Sequence, residues 1–402
     1  MIEREDYTEL TDGPTDGGCD DTTREVEQMG YFGWRPHCLD RFNKPAVFAT
    51  VFALMSFLKQ VPMSTLTLNV STLESVFNLT SKESSLMFMG SSISVTVGAL
   101  LLGNYFSARK TRWIGLGSMV MVFGACVACL PTLFAVYPQP ARSLTEGGNG
   151  IGIDELEKNQ TICGEPARDT VENSSPPDEY GVENHRLYWM LVLGSVIIGL
   201  GTVPDKTAGP TFLDEIFPQK KYGVAISFVF LAMCIGNPAA LLFGGLLLQY
   251  YVTLDPPPGL TVDSKEWVGA WWMGLLFPVI FVFILGLIIL LYPRRMPEAK
   301  KVLKEKVDKG ITTFEENRKE MGRSMKDIAH DFIPAFKRSI KNKAFICMIA
   351  GDILSMFRVG QYYYDPKILM TLYRLDFEEV GRALGFAQIV GCFFGFTASA
   401  VF

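Results

Sequence analysis

The sequence predicts an all-α polytopic membrane protein. Of the 402 residues, 49% are apolar, and they are grouped in blocks rather than spread evenly along the chain. A helix of about 20 apolar residues spans the hydrocarbon core of a bilayer. Eight blocks reach that length, which is more than one soluble domain could bury. They cover residues 45–67, 85–106, 113–136, 187–209, 223–250, 267–292, 344–365 and 379–402.

Residues 1–44, which precede the first block, form an acidic tail. They contain eleven acidic and five basic residues and no apolar run. A segment of this composition cannot bury enough apolar surface to offset the entropy lost on folding. We therefore expect the tail to be mostly disordered.

The distribution of lysine and arginine between the blocks predicts the orientation. Residues 293–343, after the sixth block, hold fifteen basic and eight acidic residues, and the short loop after the second block holds Arg109, Lys110 and Arg112. By contrast, the fifty residues of the loop 137–186 hold only four basic ones. Because basic loops stay on the cytosolic side, we expect a cytosolic amino terminus, a cytosolic linker at 293–343 and an outside loop at 137–186.

Four glycosylation sequons agree with this orientation, because all fall on the predicted outer side. They begin at Asn69, Asn78, Asn159 and Asn173. Asn159 and Asn173 lie in the long polar loop and are the best candidate acceptors, with Asn78 as a third. Asn69 lies too close to the predicted bilayer.

A cluster of tryptophans opens the sixth block, in the run Asp-Ser-Lys-Glu-Trp-Val-Gly-Ala-Trp-Trp-Met-Gly that begins at Asp263. An isolated tryptophan here would indicate an ordinary aromatic belt at the membrane interface. The whole run instead resembles the signature of the organic anion transporting polypeptides, a transporter family of the major facilitator superfamily. The matching residues are Asp263, Trp267, Gly269, Ala270, Trp271, Trp272 and Gly274. One extra residue separates Asp263 from Trp267, and Glu266 stands where the family has arginine.

A second stretch, Gly199-Leu-Gly-Thr-Val-Pro204, resembles the family's Gly-x-Gly-Glu-Thr-Pro, with Thr202 in the glutamate position. The resemblance implies a major facilitator fold. Its first six-helix bundle would cover 45–292, the basic linker 293–343, and two helices of the second bundle 344–402. Because the family has twelve spans, the resemblance also implies that the chain is truncated at its carboxyl end and does not transport by itself.

Ionisable residues inside the blocks are the candidate substrate-binding residues, since charge within a membrane is costly and usually faces a polar pathway. Lys59 aligns with a lysine that the family has in its first span; it either faces a cavity or extends to the membrane interface. Arg358 either stacks on Tyr362 or binds substrate, and Lys367 aligns with a cationic position at the outer end of the seventh span. Asp205 and its neighbour Lys206 are expected to neutralise each other.

Cations within an apolar, aromatic-lined cavity suit an amphipathic organic anion. The resemblance implies a sodium-independent, alternating-access carrier of steroid conjugates and similar anions in the plasma membrane. We expect no enzymatic activity, no cofactor and no metal site. The expected partners are a small amphipathic anion and the bilayer, with anionic-lipid contact by 294–343 as a further option; nucleic acid is excluded. Two alternatives are a seven-helix receptor, which conflicts with the loop charges, and a non-transporting paralogue or regulatory ligand-binding membrane protein, which stays open.

Overall fold

The structure is a computed structural model that describes residues 29–30, 42–103, 109–137, 184–258, 260–262, 267–293, 296–310, 333–334 and 336–401. At residues 297, 352, 355–360 and 395–401 it describes the backbone alone. The acidic tail, apart from a few residues, therefore lies outside the description, as do Asn159, Asn173, Asp263 and about half of the linker 293–343.

Helices account for most of the described chain. In order they are α1 (Pro45–Leu68), α2 (Val70–Val76), α3 (Ser81–Leu102), α4 (Lys110–Cys129), α5 (Pro131–Phe134), α6 (Tyr188–Ile216), α7 (Gln219–Leu247), α8 (Met273–Leu290), α9 (Pro297–Asp308), α10 (Lys343–Tyr362), α11 (Asp365–Tyr373) and α12 (Phe377–Val401).

Six helices in the described residues are long and apolar enough to cross a membrane. They are α1, α3, α4 with α5, α6, α7 and α8, and they correspond to the first six predicted blocks. The seventh and eighth blocks also form helices, α10 and α12, which stay predicted spans. In α10, Lys343, Asp352 and Arg358 interrupt the apolar sequence.

The six spans pack into one bundle. Helix α6 lies against α3 and α4, α8 lies against α1 and α4, and α7 lies against α1 and α12. Small residues permit the closest of these contacts: a Cβ on Gly201 of α6 would lie only 2.5 Å from the backbone nitrogen of Met121 and 2.6 Å from the carbonyl oxygen of Gly117, both in α4. Such backbone-to-backbone packing is typical of helices in lipid.

Two apolar clusters occupy the two ends of this bundle. One surrounds the fully buried Trp271 and includes Leu66 of α1; we call this the Trp271 end. In the other, the ring of Phe48 makes edge-to-face contacts with the rings of Phe212 and Tyr292; we call this the Tyr292 end. Burial raises the pKa of the Tyr292 hydroxyl to about 12.

Described residues that flank loops predicted to share one side of the membrane lie at one end of the bundle. Lys110, at the start of α4, pairs with Glu215, at the end of α6, and Lys306 of α9 pairs with Asp214 of α6, all at the Tyr292 end. Asn78 follows α2 at the Trp271 end, where it is exposed. The relative sidedness therefore agrees with the charge pattern, while the direction in the membrane stays a prediction.

Candidate functional site

The central feature of the bundle is an ion pair between α1 and α6. The ammonium nitrogen of Lys59 lies 2.5 Å from Oδ2 of Asp205, and the two side chains are only 3% and 11% exposed. At 1.5 Å per residue, Lys59 is about 21 Å along α1 and Asp205 about 26 Å along α6, so both lie well inside the membrane-spanning part. The two residues are 146 positions apart in sequence.

The surroundings of this pair are apolar on the side of the Tyr292 end. Met55 and Phe52, which precede Lys59 by one and two turns of α1, are buried. Within the described residues, the other carboxylate oxygen of Asp205, Oδ1, is buried without a hydrogen-bond partner. The site therefore holds one cation, one anion and one unused acceptor.

Lys206 attracts Asp205 as the sequence predicts, but it is not the main partner of Asp205. Lys206 is exposed, whereas Lys59 donates the hydrogen bond that Asp205 accepts. On a helix, consecutive side chains point about 100° apart, so a buried carboxylate and its neighbour in sequence do not share a face. Lys59 is buried in the bundle and does not extend to the membrane interface, while the predicted cavity around it stays a prediction.

A second polar group lies between α1 and α7, toward the Trp271 end from Lys59. The Ser64 hydroxyl donates to the side-chain oxygen of Asn237 at 2.8 Å. The hydroxyl of Tyr362, near the end of α10, is buried beside Ser64 and Gln388 of α12. Sequence reasoning missed this group, although polar side chains inside apolar helices, such as Ser64 and Asn237, were a signal that could have revealed it.

Lys367 lies at the Trp271 end, where α11 contacts α2. Its ammonium pairs with the carboxylate of Glu74 and donates to the Ser81 hydroxyl at 2.8 Å. Ser84 donates to the other oxygen of Glu74 at 2.6 Å, and the Tyr364 hydroxyl donates to the Ser81 carbonyl at 3.1 Å. These contacts join the first bundle to the segment that follows α10.

Arg358 lies in α10, and its side chain is outside the description.

The tryptophan signature ties the start of α8 to the end of α7. Trp267 donates from Nε1 to the Leu248 carbonyl at 3.0 Å, and Trp272 donates to the Val252 carbonyl at 2.8 Å. Between them, Trp271 is 1% exposed and packs against Phe77. An indole that is fully buried is not part of a lipid-facing belt, so this run serves packing of the first bundle.

The glycine and alanine of the same run take part in backbone pairing. The Ala270 nitrogen donates to the Tyr250 carbonyl at 2.8 Å, and the Val252 nitrogen donates to the Val268 carbonyl at 2.9 Å, on either side of an isolated bridge between Tyr251 and Gly269. Burial raises the pKa of Tyr251. Further along, a Cβ on Gly274 would collide with the Thr65 side chain of α1. The signature thus fixes α7, α8 and α1 relative to one another.

A model of the Organic Anion Transporter Polypeptide (OATP) family matches residues 47–402. The chain belongs to this family. The resemblance predicted from the tryptophan run is confirmed. The OATP family is one of transporters rather than enzymes, and this agrees with the prediction that the protein is not an enzyme.

The curated relatives of this OATP family member are about twice as long as the part of them that aligns with it. It is 28% identical over 394 residues to the mouse solute carrier organic anion transporter family member 4A1, covering 92% of this chain and 50% of the mouse protein. It is 28% identical over 379 residues to rat member 4C1, covering 91% and 48%. It is 22% identical over 424 residues to Drosophila melanogaster member 74D, covering 99% and 50%. The chain therefore spans about half the length of these relatives.

Solved structures support the fold of the OATP family member. The chain is similar to a partially occluded inward-open form of the xylose transporter XylE from E. coli, with a TM-score of 0.51, 15% identity, and coverage of 88% of this chain and 71% of that one. XylE bound to 6-bromo-6-deoxy-D-glucose gives a TM-score of 0.51 at 15% identity, with coverage of 87% and 67%. The predicted all-α major facilitator fold is confirmed.

Proposed function

We propose that this protein carries amphipathic organic anions across the plasma membrane, and that Lys59 meets the anionic group. The observation that supports this proposal most strongly is the position of the Lys59 ammonium, buried near the middle of a membrane-spanning bundle. A cation is rare at that depth unless a polar pathway or a partner requires it. The family name and the names of the relatives point to the same class of substrate.

The shape of the substrate follows from what surrounds Lys59. Apolar side chains such as Phe52 and Met55 lie on one side of it, and the Ser64–Asn237 pair lies on the other. An amphipathic molecule would place its charged group at Lys59 and its hydrocarbon body against apolar walls, with a few hydrogen bonds fixing its orientation. Steroid sulfates and bile-acid-like conjugates have this form.

Lys367 and Arg358 are proposed to meet the anion at other stages of the cycle. Lys367 is 27% exposed in its pair with Glu74, at the predicted outer end of the pathway. When that end opens, breaking the Glu74 contact would free the ammonium for an arriving anion. Arg358 lies one turn before Tyr362 on α10 and would contact the anion from the second bundle.

Transport is proposed to proceed by alternating access without sodium. One bundle would rock against the other around Lys59, with the Lys367–Glu74 pair closing the Trp271 end. Residues 1–402 expressed alone are proposed to be inactive in uptake, because the chain spans about half the length of its relatives and a pathway of this fold needs two bundles.

Two surface features complete the proposal. Asn78 would carry a glycan, since it is exposed beyond the end of α2, and so would Asn159 and Asn173 of the predicted outside loop. In the linker 294–343, α9 turns Val302 inward and exposes Lys301 and Lys304. Exposed lysines on a helix beside the membrane would attract anionic lipid headgroups, with the amino terminus on the same, cytosolic side.

Uptake into proteoliposomes tests the proposed function. The protein expressed from its complete coding sequence is reconstituted and exposed to tritiated estrone sulfate, an amphipathic monoanion, in sodium-free buffer. The expected result is saturable uptake into the vesicle lumen that excess unlabelled estrone sulfate abolishes and osmotic shrinkage reduces. Saturable binding that does not depend on the lumen volume would instead support the alternative of a non-transporting, ligand-binding paralogue. Absence of both would reject the proposed function.

A further inference from the structure

Asp205 is the one direct ion-pair partner of Lys59 among the described residues. The carboxylate of Asp205 reaches the ammonium from a different helix. One of its oxygens makes that contact, while the other has no hydrogen-bond donor in the described part of the chain. A carboxylate that uses one oxygen and buries the other is incompletely satisfied. Hydrogen bonding alone therefore does not explain why Asp205 is buried in the bundle.

Ion pairs buried in an apolar interior give little net stability, because removing both charges from water offsets most of their attraction. A buried lysine left alone, however, is strongly unfavourable. The presence of Asp205 is therefore explained by the requirement of Lys59 for a counter-ion. A cation that binds anionic substrates has no counter-ion while the site is empty, and Asp205 supplies one.

We propose that Asp205 is the internal counter-ion of Lys59 in the empty protein and that the anionic group of the substrate displaces it. Asp205 then determines anion affinity, because every arriving anion must compete with a carboxylate already in place. This inference rests on the proposed function and goes beyond it by assigning Asp205 as a specificity-determining residue. Displacement breaks one ion pair and forms another, so the charge of the Lys59 site remains balanced.

Competition between Asp205 and the substrate anion predicts different effects on the affinities of an anionic ligand and of a neutral ligand with the same shape. Replacing Asp205 by asparagine keeps the side-chain size but removes the competing charge. An anionic ligand should then bind more tightly, because it alone neutralises Lys59. A neutral ligand of the same shape should bind as before.

The test measures the dissociation constants of estrone sulfate and of neutral estrone for the purified protein expressed from its complete coding sequence. For Asp205→Asn, we expect the dissociation constant of estrone sulfate to fall by about tenfold, which is modest beside the penalty of an unpaired buried charge, while that of estrone is unchanged. Asp205→Glu, which keeps the charge, should stay close to the unsubstituted protein. Asp214→Asn is the matched control: Asp214 lies on the same helix and pairs with Lys306 at 2.7 Å, at the Tyr292 end, and its removal should change neither constant.

Two results would overturn the inference. One is an unchanged or raised dissociation constant for estrone sulfate in Asp205→Asn while the unsubstituted protein binds it. The other is an equal change for estrone sulfate and estrone, which would indicate altered packing. If Asp205→Asn does not fold in detergent, its recovery in the presence of estrone sulfate but not estrone is the expected result, and failure of both to restore folding counts against the inference. Absence of binding by the unsubstituted protein would reject the proposed function itself.

Discussion

A lysine ammonium between apolar helices is stable only when an anion lies beside it, and this requirement governs the centre of the bundle. Lys59 meets it with Asp205, which reaches across from α6. Two groups of opposite charge in a medium of low dielectric attract each other strongly, yet both have lost their hydration. The proposed contact of Lys59 with an anionic solute gives a reason for this cost.

The position of Lys59 could be predicted from the sequence, but its partner could not. A charge in the middle of a 20-residue apolar block signals a buried polar site, whatever the fold. The partner depends on which face of α6 meets α1, across 146 residues, and local sequence carries no such information. Lys206 is the opposite charge nearest to Asp205 in sequence, but it lies on the exposed surface of α6.

Trp271 illustrates a residue whose role is packing. It is 1% exposed in the apolar cluster at the Trp271 end, whereas Trp189, at the start of α6, is 62% exposed. Replacing Trp271 by alanine should reduce stability by about 3 kcal/mol or more, because a large cavity would remain. Trp189→Ala is the matched control and should change stability little. Thermal unfolding followed by size-exclusion chromatography measures both; equal melting temperatures for the two variants would contradict the packing role.

At the scale of helices, the apolar blocks predicted which segments are helical better than where the helices begin. The second block was placed from residue 85, but α3 begins at Ser81, because Thr80 and Glu83 form a capping box that starts the helix earlier. The sixth block was placed from residue 267, yet α8 begins at Met273. The first six residues of that block are held by pairing with the segment after α7. Apolar content alone does not distinguish a helix from a buried non-helical segment.

The contact between α7 and α12 joins the first bundle to the predicted second one. A Cβ on Gly381 of α12 would lie 2.5 Å from the carbonyl oxygen of Leu241, so the two helices touch through their backbones. Nearer the middle, the Cys392 thiol donates to the carbonyl oxygen of Cys234 at 3.7 Å. In a carrier that alternates its access, this is a contact at which the two bundles would slide.

The two cysteines allow this contact to be measured without introducing new residues. Mild oxidation of membranes with copper phenanthroline should join Cys234 to Cys392. After cleavage by protease in the linker 294–343, the two parts of the chain should stay together on a non-reducing gel. Cys234→Ser is the control and should separate. Rapid separation of the unsubstituted protein under the same conditions would show that α7 and α12 do not lie together.

At the scale of the whole molecule, the main fold followed from composition and spacing. Half of the chain is apolar and the apolar residues come in blocks of membrane-spanning length, so a helical membrane bundle was the one architecture that could bury them. What composition could not supply is the internal order: which helices touch, and that two apolar clusters stand at opposite ends with an ion pair between them. That order depends on contacts between residues far apart in sequence.

The division of the bundle also explains why the family signature lies apart from the proposed substrate site. Trp267, Trp271 and Trp272 stabilise one end of the first bundle, whereas Lys59 lies near its middle. A signature can identify a family through residues that hold helices together. The residues that contact substrate must then be sought among the charged and polar groups inside the spans.

The central claim is that Lys59 provides the positive charge that an organic anion binds. Uptake of tritiated estrone sulfate into proteoliposomes tests it most directly, comparing the protein with the double variant Lys59→Gln/Asp205→Asn, in which the pair is replaced by two neutral groups and no buried charge is left unpaired. Lys206→Gln, one residue from Asp205 but exposed, is the matched control. The account predicts that the double variant keeps its fold and loses at least about nine-tenths of the uptake, a tenfold effect equal to about 1.4 kcal/mol, while Lys206→Gln transports normally. Uptake by the double variant equal to that of the unsubstituted protein would contradict it.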